Sequence, residues 1–324
     1  MPLWRLPDHF SDALPAEAKK LEALRRIAID TLQAHGFLLV QPPLLEHLDA
    51  LTTGTGQDLD ALMFKTTDPA SGKTLGLRVD ATPQVARIDA HLLNDSGVTR
   101  LCYCVPAVRT QTDDAFAQRE MLQVGAEVFG HAGAEADAEV QDLALSMLQA
   151  LSVPAPLLAL SHVAVARTVL TVHPKLVAAQ AEMLAALRAK DTAAVDILCN
   201  THDTSAKPVL LALLGAYGTA KDLAENTGLQ NTLVQYPELR AALAELHDLA
   251  ARASAQGHTV LIDLADLRGF NYHTGVQFAV YTAGSPSAIL RGGRYDDVGA
   301  AYGRARPATG FSSDLRALAR NLAE

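Results

Sequence analysis

The stretch "VPAVRTQTDDAFAQREMLQVGAEVFG", residues 105–130, decides the fold of this chain. It joins the apolar run "RLCYCVPAVRTQ" to the run "REMLQVGAEVFG" through a polar loop at residues 110–117. Two such runs with a short polar connection predict a β-hairpin. Because the strands of a hairpin are antiparallel, we expect a largely antiparallel sheet rather than a parallel, doubly wound one.

The second strand of this hairpin has one polar face. Strict alternation places Gln123, Gly125 and Glu127 on that face, and the apolar residues between them on the other. The apolar face predicts a core contact, and a glycine on the polar face lets another group approach the backbone closely. Taken alone, the pattern favours the solvent-facing side of an ordinary antiparallel sheet.

The rest of the chain alternates strands and helices except for one block. Apolar residues at helical spacing predict helices over residues 14–35 and 135–151. From about residue 164 to residue 256 the chain is rich in Ala and Leu and nearly free of strand patterns. We therefore predict a helical insertion domain over 164–256, with a core formed by 1–163 and 257–324.

Composition excludes several classes of function. The chain has 324 residues, 49% of them hydrophobic, and a net charge of −9, which disfavours a large nucleic-acid partner. Its three cysteines lack metal-ligand spacing, and Cys102 and Cys104 are expected to be core thiols on one strand face. Without an apolar signal core or an 18-residue apolar run, the chain is expected to be cytoplasmic, without membrane contact, metal or cofactor.

Two further polar groups accompany the hairpin. In "RVDAT", residues 78–82, Asp80 and Thr82 lie where a strand gives way to a helix, which by itself indicates a helix cap. The stretch "DLRGFNYHTGVQF", residues 266–278, places a polar bend between two apolar segments, and "GGRYDD" follows at residues 292–297. Each of these has an ordinary explanation, such as a turn, a structural ion pair or a half-buried tyrosine.

Together, these groups supply what an amino-acid ligand needs. An α-ammonium group requires a carboxylate and neutral acceptors, and an α-carboxylate requires guanidinium donors. An imidazole N–H requires an acceptor such as Glu127. The candidates for the two backbone groups of the ligand are Asp80, Thr82 and Gln123 for the ammonium, and Arg109 and Arg268 for the carboxylate.

The same residues resemble a known family. "GFLLVQPPLLE", residues 36–46, resembles motif 1 of class II aminoacyl-tRNA synthetases, and residues 105–130 resemble their motif 2. "LRGFNYHTGVQF" and "GGRYDDVGAAYG" resemble the two histidine-binding signatures of histidyl-tRNA synthetases. The resemblance covers nearly all of the chain in order. It implies an α+β fold, with a class II synthetase-like antiparallel sheet flanked by helices and a helical insertion domain.

The resemblance also implies a histidine-binding site. Asp80, Thr82 and Gln123 match the residues that hold the amino group of histidine in the synthetases, and Glu127 matches the residue that reads the imidazole. The other implied site residues are Arg268 at the carboxylate, Arg109 at the carboxylate and the α-phosphate of ATP, the pocket tyrosines Tyr272 and Tyr295, and His273 in place of a third tyrosine.

Departures from the synthetase pattern argue against catalysis. Gln111 stands where motif 2 has an adenine-binding glutamate, and Ala317 stands where motif 3 has a phosphate-binding arginine. Arg316 lies one position early, about 100° away around a helix. Asp314 replaces a glycine and adds negative charge, and Asn271 replaces an aspartate. The sequence also stops after motif 3, so we expect no anticodon-binding domain and no tRNA partner.

This combination resembles the regulatory subunits of ATP phosphoribosyltransferase. It implies a non-catalytic subunit that is required for the first step of histidine biosynthesis and relays feedback inhibition by L-histidine. Its implied partners are a short-form catalytic subunit and a second copy of the chain, bound through motif 1 near Pro43, within a hetero-oligomer. An active ligase that adenylates an amino acid for a non-tRNA acceptor and a free-standing histidine sensor remain alternatives.

Overall fold

The structure, a computed structural model, describes residues 5–53, 56–112, 117–270 and 272–322. The chain divides into two compact units. Unit 1 contains Met1–Pro154 and Thr282–Glu324, and unit 2 contains Ala155–Tyr281. Among the described residues, no helix combines the length and the apolar character needed to span a bilayer.

The strands and helices are numbered in chain order. The strands are β1 (Leu38–Leu39), β2 (Leu45–His47), β3 (Lys65–Thr67), β4 (Thr74–Leu77), β5 (Thr99–Val108), β6 (Glu120–Phe129), β7 (Leu157–His162), β8 (Tyr217–Gly218), β9 (Thr259–Asp263), β10 (Val276–Tyr281), β11 (Leu290–Arg294) and β12 (Ala308–Asp314). The α-helices are α1 (Pro15–Ala34), α2 (Leu48–Thr52), α3 (Gly56–Ala61), α4 (Thr82–Arg87), α5 (Ala134–Ala150), α6 (Ala164–Val172), α7 (Gln180–Arg188), α8 (Thr192–His202), α9 (Lys207–Leu214), α10 (Ala220–Glu225), α11 (Thr227–Leu233), α12 (Pro237–Ala255) and α13 (Leu315–Asn321).

Unit 1 is built on the predicted hairpin. β5 and β6 pair antiparallel along their whole length, which confirms the hairpin prediction. Its sheet runs in the order β1-β5-β6-β12-β11, with only the β1–β5 pair parallel. Helix α1 packs against α5 and α13, and α4 packs against β6. A small antiparallel sheet, β2-β4-β3, completes the unit. The predicted α+β fold, with a largely antiparallel sheet flanked by helices, is therefore confirmed.

Helix α1 shows how local sequence sets an element of unit 1. Pro15 occupies its first turn, where the missing backbone N–H costs nothing. Gly36 follows the helix at φ +86°, a left-handed conformation that glycine adopts without strain. The helix buries Leu21, Leu24 and Leu32 at helical spacing, so the predicted helix over residues 14–35 is confirmed.

Unit 2 combines four strands with helices α6–α12. β7 pairs antiparallel with β10 and parallel with β9, and β8 pairs with β9. Helix α12 packs on α6, β7 and β9. Unit 2 contains more of the chain than the predicted insertion domain at residues 164–256. It also includes β7, β9 and β10, which pair in one sheet and form the surface on which α12 packs.

Candidate functional site

Glu127 is the buried centre of the site in unit 1. Its side chain accepts hydrogen bonds from three hydroxyl groups, although the residue is only 1% exposed. Oε1 accepts from Thr82 Oγ1 at 2.9 Å and from the Tyr103 hydroxyl at 3.1 Å. Oε2 accepts from the Tyr295 hydroxyl. Since an ionised carboxylate offers about four acceptor positions, Glu127 in its ionised form has one acceptor position beyond these three hydrogen bonds.

Burial dominates the electrostatics of Glu127. It raises the pKa of this carboxyl to about 8, while the hydroxyls of Tyr295 and Thr82 act in the opposite direction. Desolvation also raises the pKa of Tyr103 well above its usual value, so that this hydroxyl stays protonated and remains a donor. Glu127 can therefore change protonation in the neutral range, where imidazole also titrates.

Two glycines make room for this arrangement. Tyr103 lies opposite Gly125 in the hairpin. A Cβ at Gly125 would collide with the Tyr103 hydroxyl and would lie 2.5 Å from the Phe311 carbonyl oxygen. A Cβ at Gly310, which pairs with Glu127, would collide with Glu127 Oε2 and lie 2.6 Å from the Ala126 carbonyl oxygen. The close approach expected at Gly125 is thus made by Tyr103 of the same chain.

The polar face of β6 does not point to solvent, so the solvent-facing interpretation is wrong. Gln123 is 4% exposed and contacts the segment that leads into α4. Its Nε2 donates to Asp80 Oδ1 at 3.0 Å, and its Oε1 accepts from the Ala81 N–H at 2.9 Å. Asp80 Oδ1 also accepts from the Thr82 N–H at 2.9 Å. The N-cap residue of α4 is Ala81, and no side chain of the described residues caps this helix, so the expected cap by Asp80 or Thr82 is not formed. Asp80 Oδ1 instead joins the first residue of α4 to Gln123.

Arg109 lies at the end of the same hairpin. Its Nε donates to the Val79 carbonyl at 3.3 Å. Arg109 also lines a cleft of about 120 Å³ together with Gln123, Arg291 and Asp314. Gln123, which contacts Asp80, and Arg109 therefore line the same cleft.

Asp314 sets the character of that cleft. It accepts hydrogen bonds from the Arg316 N–H at 2.9 Å and from the Leu122 N–H at 3.1 Å, so that it caps α13 and joins β12 to β6. Burial raises the pKa of Asp314. Arg316 itself lies 3.7 Å from Glu120. The carboxyl group therefore has a structural role here and adds an acidic group to the cleft lining.

The remaining predicted site residues lie in unit 2. The Arg268 Nε atom lies 3.2 Å from Asp266 Oδ1, and the Arg268 side chain is 51% exposed. Arg268 thus forms the kind of structural ion pair that would explain it without a ligand. The rings of Tyr272 and His273 meet edge to face with centroids 5.4 Å apart. Burial lowers the pKa of His273 to about 4, so this ring is neutral at physiological pH. Asn271 lies outside the described residues.

The structure thus brings together one group of predicted residues in each unit. Unit 1 joins Glu127, Thr82 and Tyr295 directly, and links Asp80 to Gln123, with Arg109 lining the adjacent cleft. Unit 2 carries Arg268, Tyr272 and His273 on one bend. No group of three or more His, Cys, Asp or Glu side chains in the described ranges is arranged to hold a metal ion.

Tyr103 belongs to the candidate site, and the sequence interpretation missed it. Alternation along β5 places Tyr103 on the face opposite to Cys102 and Cys104, so the direction of its side chain follows from the sequence. The residue that Tyr103 meets on the neighbouring strand does not follow from the sequence. Only the register of β5 and β6 places its ring over Gly125 and its hydroxyl at Glu127.

The chain is similar to known proteins over nearly its whole length. The sequence profile described as histidyl-tRNA synthetase matches residues 9–318. A protein named ATP phosphoribosyltransferase regulatory subunit, from Ralstonia nicotianae, is 49% identical over 98% of this chain and 81% of its own length. One with the same name, from a Janthinobacterium species, is 47% identical over 99% of this chain and 83% of its own length.

Solved structures are similar over the whole chain. A Bacillus halodurans structure titled as an ATP phosphoribosyltransferase regulatory subunit/histidyl-tRNA synthetase superposes with a TM-score of 0.86 and 26% identity, covering 99% of this chain and 84% of that one. A histidyl-tRNA synthetase from a Nostoc species superposes with a TM-score of 0.80 at 18% identity, covering 99% and 77%, which establishes a shared fold.

Proposed function

Since this chain belongs to the family of ATP phosphoribosyltransferase regulatory subunits, we propose that it binds L-histidine in the pocket around Glu127 and relays feedback inhibition. As a regulatory subunit in histidine biosynthesis, it does not carry the catalytic activity. We further propose that it works in the cytoplasm with a short-form catalytic subunit, whose activity requires it.

The observation that supports histidine as the ligand is the arrangement at Glu127. A buried carboxyl group with three hydroxyl donors and one remaining acceptor position suits a single N–H group of an imidazole ring. Asp80 is linked to Glu127 through Thr82 and accepts from Gln123, and this pair suits the α-ammonium group, while Arg109 suits the α-carboxylate. The resemblance to histidyl-tRNA synthetases is the ground on which Arg268, Tyr272 and His273, which lie on one bend of unit 2, are proposed as further histidine-binding residues.

One of the cationic groups that adenylate formation usually needs is absent at its motif 3 position. Transfer of a phosphoryl or adenylyl group depends on positioned cations around the phosphates. The motif 3 position carries Ala317, and Asp314 lines the cleft beside Arg109. These features disfavour the alternative of an active ligase, and family membership favours a subunit of an enzyme over a free-standing sensor.

We predict that the purified chain gives no histidine-dependent ATP–pyrophosphate exchange. The physical reason is the absent motif 3 arginine, together with the acidic side chain of Asp314 in the cleft lining, which supplies no positive charge for a triphosphate. The assay is run at high protein concentration, with an active histidyl-tRNA synthetase as its positive control. Robust exchange by this chain would instead establish the ligase alternative.

We also propose that the chain forms a homodimer through its motif 1 segment. β1 is the outer strand of the unit 1 sheet, and exposed strand edges are normally covered or charged. Here the edge is apolar, since Leu38 is 64% exposed and Leu39 is 38% exposed. Nearby in the chain, Pro43 and Leu45 are exposed as well. A second copy of this chain would cover these residues.

Leu38→Asp is therefore expected to convert the dimer to a monomer, because a carboxylate cannot be buried at an apolar interface without a partner. Light scattering of the purified chain measures the mass. Val234→Asp is the matched control, since Val234 is 73% exposed and belongs to unit 2, outside the motif 1 sequence. A wild-type chain that is monomeric at micromolar concentration would contradict the homodimer.

A further inference from the structure

The bend at residues 266–273 is held from helix α6 by Arg167. One guanidinium nitrogen, Nη2, donates to the His273 carbonyl at 2.7 Å and lies 3.4 Å from the Phe270 carbonyl. The guanidinium group also lies over the Phe270 ring, 5.7 Å from its centroid. Arg167 is half-buried and combines hydrogen bonding with a cation–π contact on one short segment.

Strand β10 holds the same bend through Gln277, which is 6% exposed. Its Oε1 accepts from the Gly269 N–H at 3.1 Å, and its Nε2 donates to the Asp266 carbonyl. A Cβ at Gly269 would lie 2.5 Å from Gln277 Oε1 and would collide with the His273 ring. The bend is therefore closely packed, and two separate elements determine its shape.

We propose that Arg167 is a positioning residue for the effector, which holds the carbonyls of Phe270 and His273 so that the bend keeps its ligand-binding shape. This inference rests on the proposed function, because the bend carries Arg268, Tyr272 and His273. Helix α6 packs on α12, so the contact also ties the bend to the helical part of unit 2.

An arginine suits this task better than a lysine. Its planar guanidinium group can reach two carbonyls and stack on a ring at the same time, whereas an ammonium group is a single, strongly hydrated point charge. The positive charge also acts on His273, where it adds to the effect of burial in lowering the pKa of the ring. Arg167 thus adds to the effect of burial on His273 and holds the carbonyl of this residue in place.

The test compares Arg167→Met and Arg167→Lys in the full chain. Arg188→Met is the matched control, because the Arg188 Nε donates within its own helix, to the Leu184 carbonyl at 3.2 Å. Calorimetry with L-histidine should show binding weakened roughly tenfold or more in Arg167→Met, the typical effect of losing a hydrogen bond from a charged group. Arg167→Lys should fall between this variant and the wild type, and Arg188→Met should match the wild type.

A second measurement separates positioning from general loss of structure. NMR titration of the His273 ring should give a higher pKa in Arg167→Met, because a positive neighbour disfavours the imidazolium form, and a pKa closer to wild type in Arg167→Lys. If Arg167→Met binds histidine as tightly as the wild type and its His273 ring has the wild-type pKa, the proposal is overturned.

Failure of the proposed function gives a different result, namely that the wild-type chain itself binds no histidine. In that case, amide hydrogen exchange of the ligand-free protein decides the role of Arg167. The Tyr272 and His273 N–H groups both donate to the Gly269 carbonyl, at 3.0 and 2.7 Å. Their exchange should be roughly tenfold or more faster in Arg167→Met, and unchanged exchange would overturn the inference.

Discussion

Replacing Glu127 by glutamine is expected to weaken L-histidine binding roughly ten- to 150-fold. The substitution keeps the shape of the side chain but removes a charge-assisted hydrogen bond to the imidazole, typically about 1.5–3 kcal/mol. Calorimetry on the isolated chain measures the affinity for histidine. Inhibition of the complex with its catalytic subunit by histidine measures the feedback response. Unchanged binding and inhibition would place the regulatory site elsewhere.

The affinity of the wild-type chain should also depend on pH. The pKa of Glu127 is about 8, and free imidazole titrates near about 6.5. Between these values the carboxyl group holds one proton and the ligand holds none, so a carboxylate–imidazolium pair forms without net proton exchange. Below about pH 6.5 both partners are protonated and one proton must leave. We therefore expect histidine affinity to fall as the pH is lowered through this value.

The same group should make stability fall with rising pH. Its pKa of about 8 in the folded chain exceeds its ordinary value of 4.5, so the folded state holds more protons than the unfolded state between these two values. The cost of burying the ionised form is absent below about pH 4.5, grows through this window and is complete above about pH 8. Glu127→Gln removes this cost, which is on the order of a few kcal/mol.

Urea unfolding at pH 5 and pH 8.5 tests this expectation. From pH 5 to pH 8.5, the free energy of unfolding of Glu127→Gln should rise relative to that of the wild type. The same variant should bind histidine more weakly. Opposite signs for stability and binding identify Glu127 as a residue retained for its ligand. Equal changes of stability with pH in both proteins would contradict the raised pKa.

Gly310→Ala is expected to destabilise the chain by about 3 kcal/mol or more. Overpacking of a well-packed interior typically costs about 1–3 kcal/mol and occasionally more. Here the new methyl group would meet the Glu127 carboxylate and would also lie 2.6 Å from the Ala126 carbonyl oxygen, which belongs to the paired strand and cannot rotate away. Displacement of Glu127 should abolish detectable histidine binding as well.

Urea unfolding and calorimetry measure both effects. Gly215→Ala is the matched control, since a Cβ there would come no closer than 3.7 Å to the Ala212 carbonyl oxygen, an ordinary contact. It should change stability by less than about 1 kcal/mol. Wild-type stability and affinity in Gly310→Ala would show that the strand pairing around Glu127 is looser than the structure indicates.

The amino-acid sequence by itself determined the elements whose signals are local. Alternation in residues 120–129 set Gln123 and Glu127 on one face of a strand, and the polar loop before it predicted the hairpin. Pro15 and Gly36 marked the ends of α1. These inferences hold because side-chain direction in a strand and capping in a helix depend on residues within a few positions of each other.

Only the tertiary structure decided what each of these faces meets. Alternation could not show that Gln123 and Glu127 are buried rather than solvent-facing, since that depends on the packing of α4 against β6. Nor could it show that Tyr103 fills the space over Gly125, or that Arg167 reaches the bend from a helix about a hundred residues earlier. Such contacts join residues far apart in the chain, so their partners follow from strand register and packing, which no local pattern of residues records.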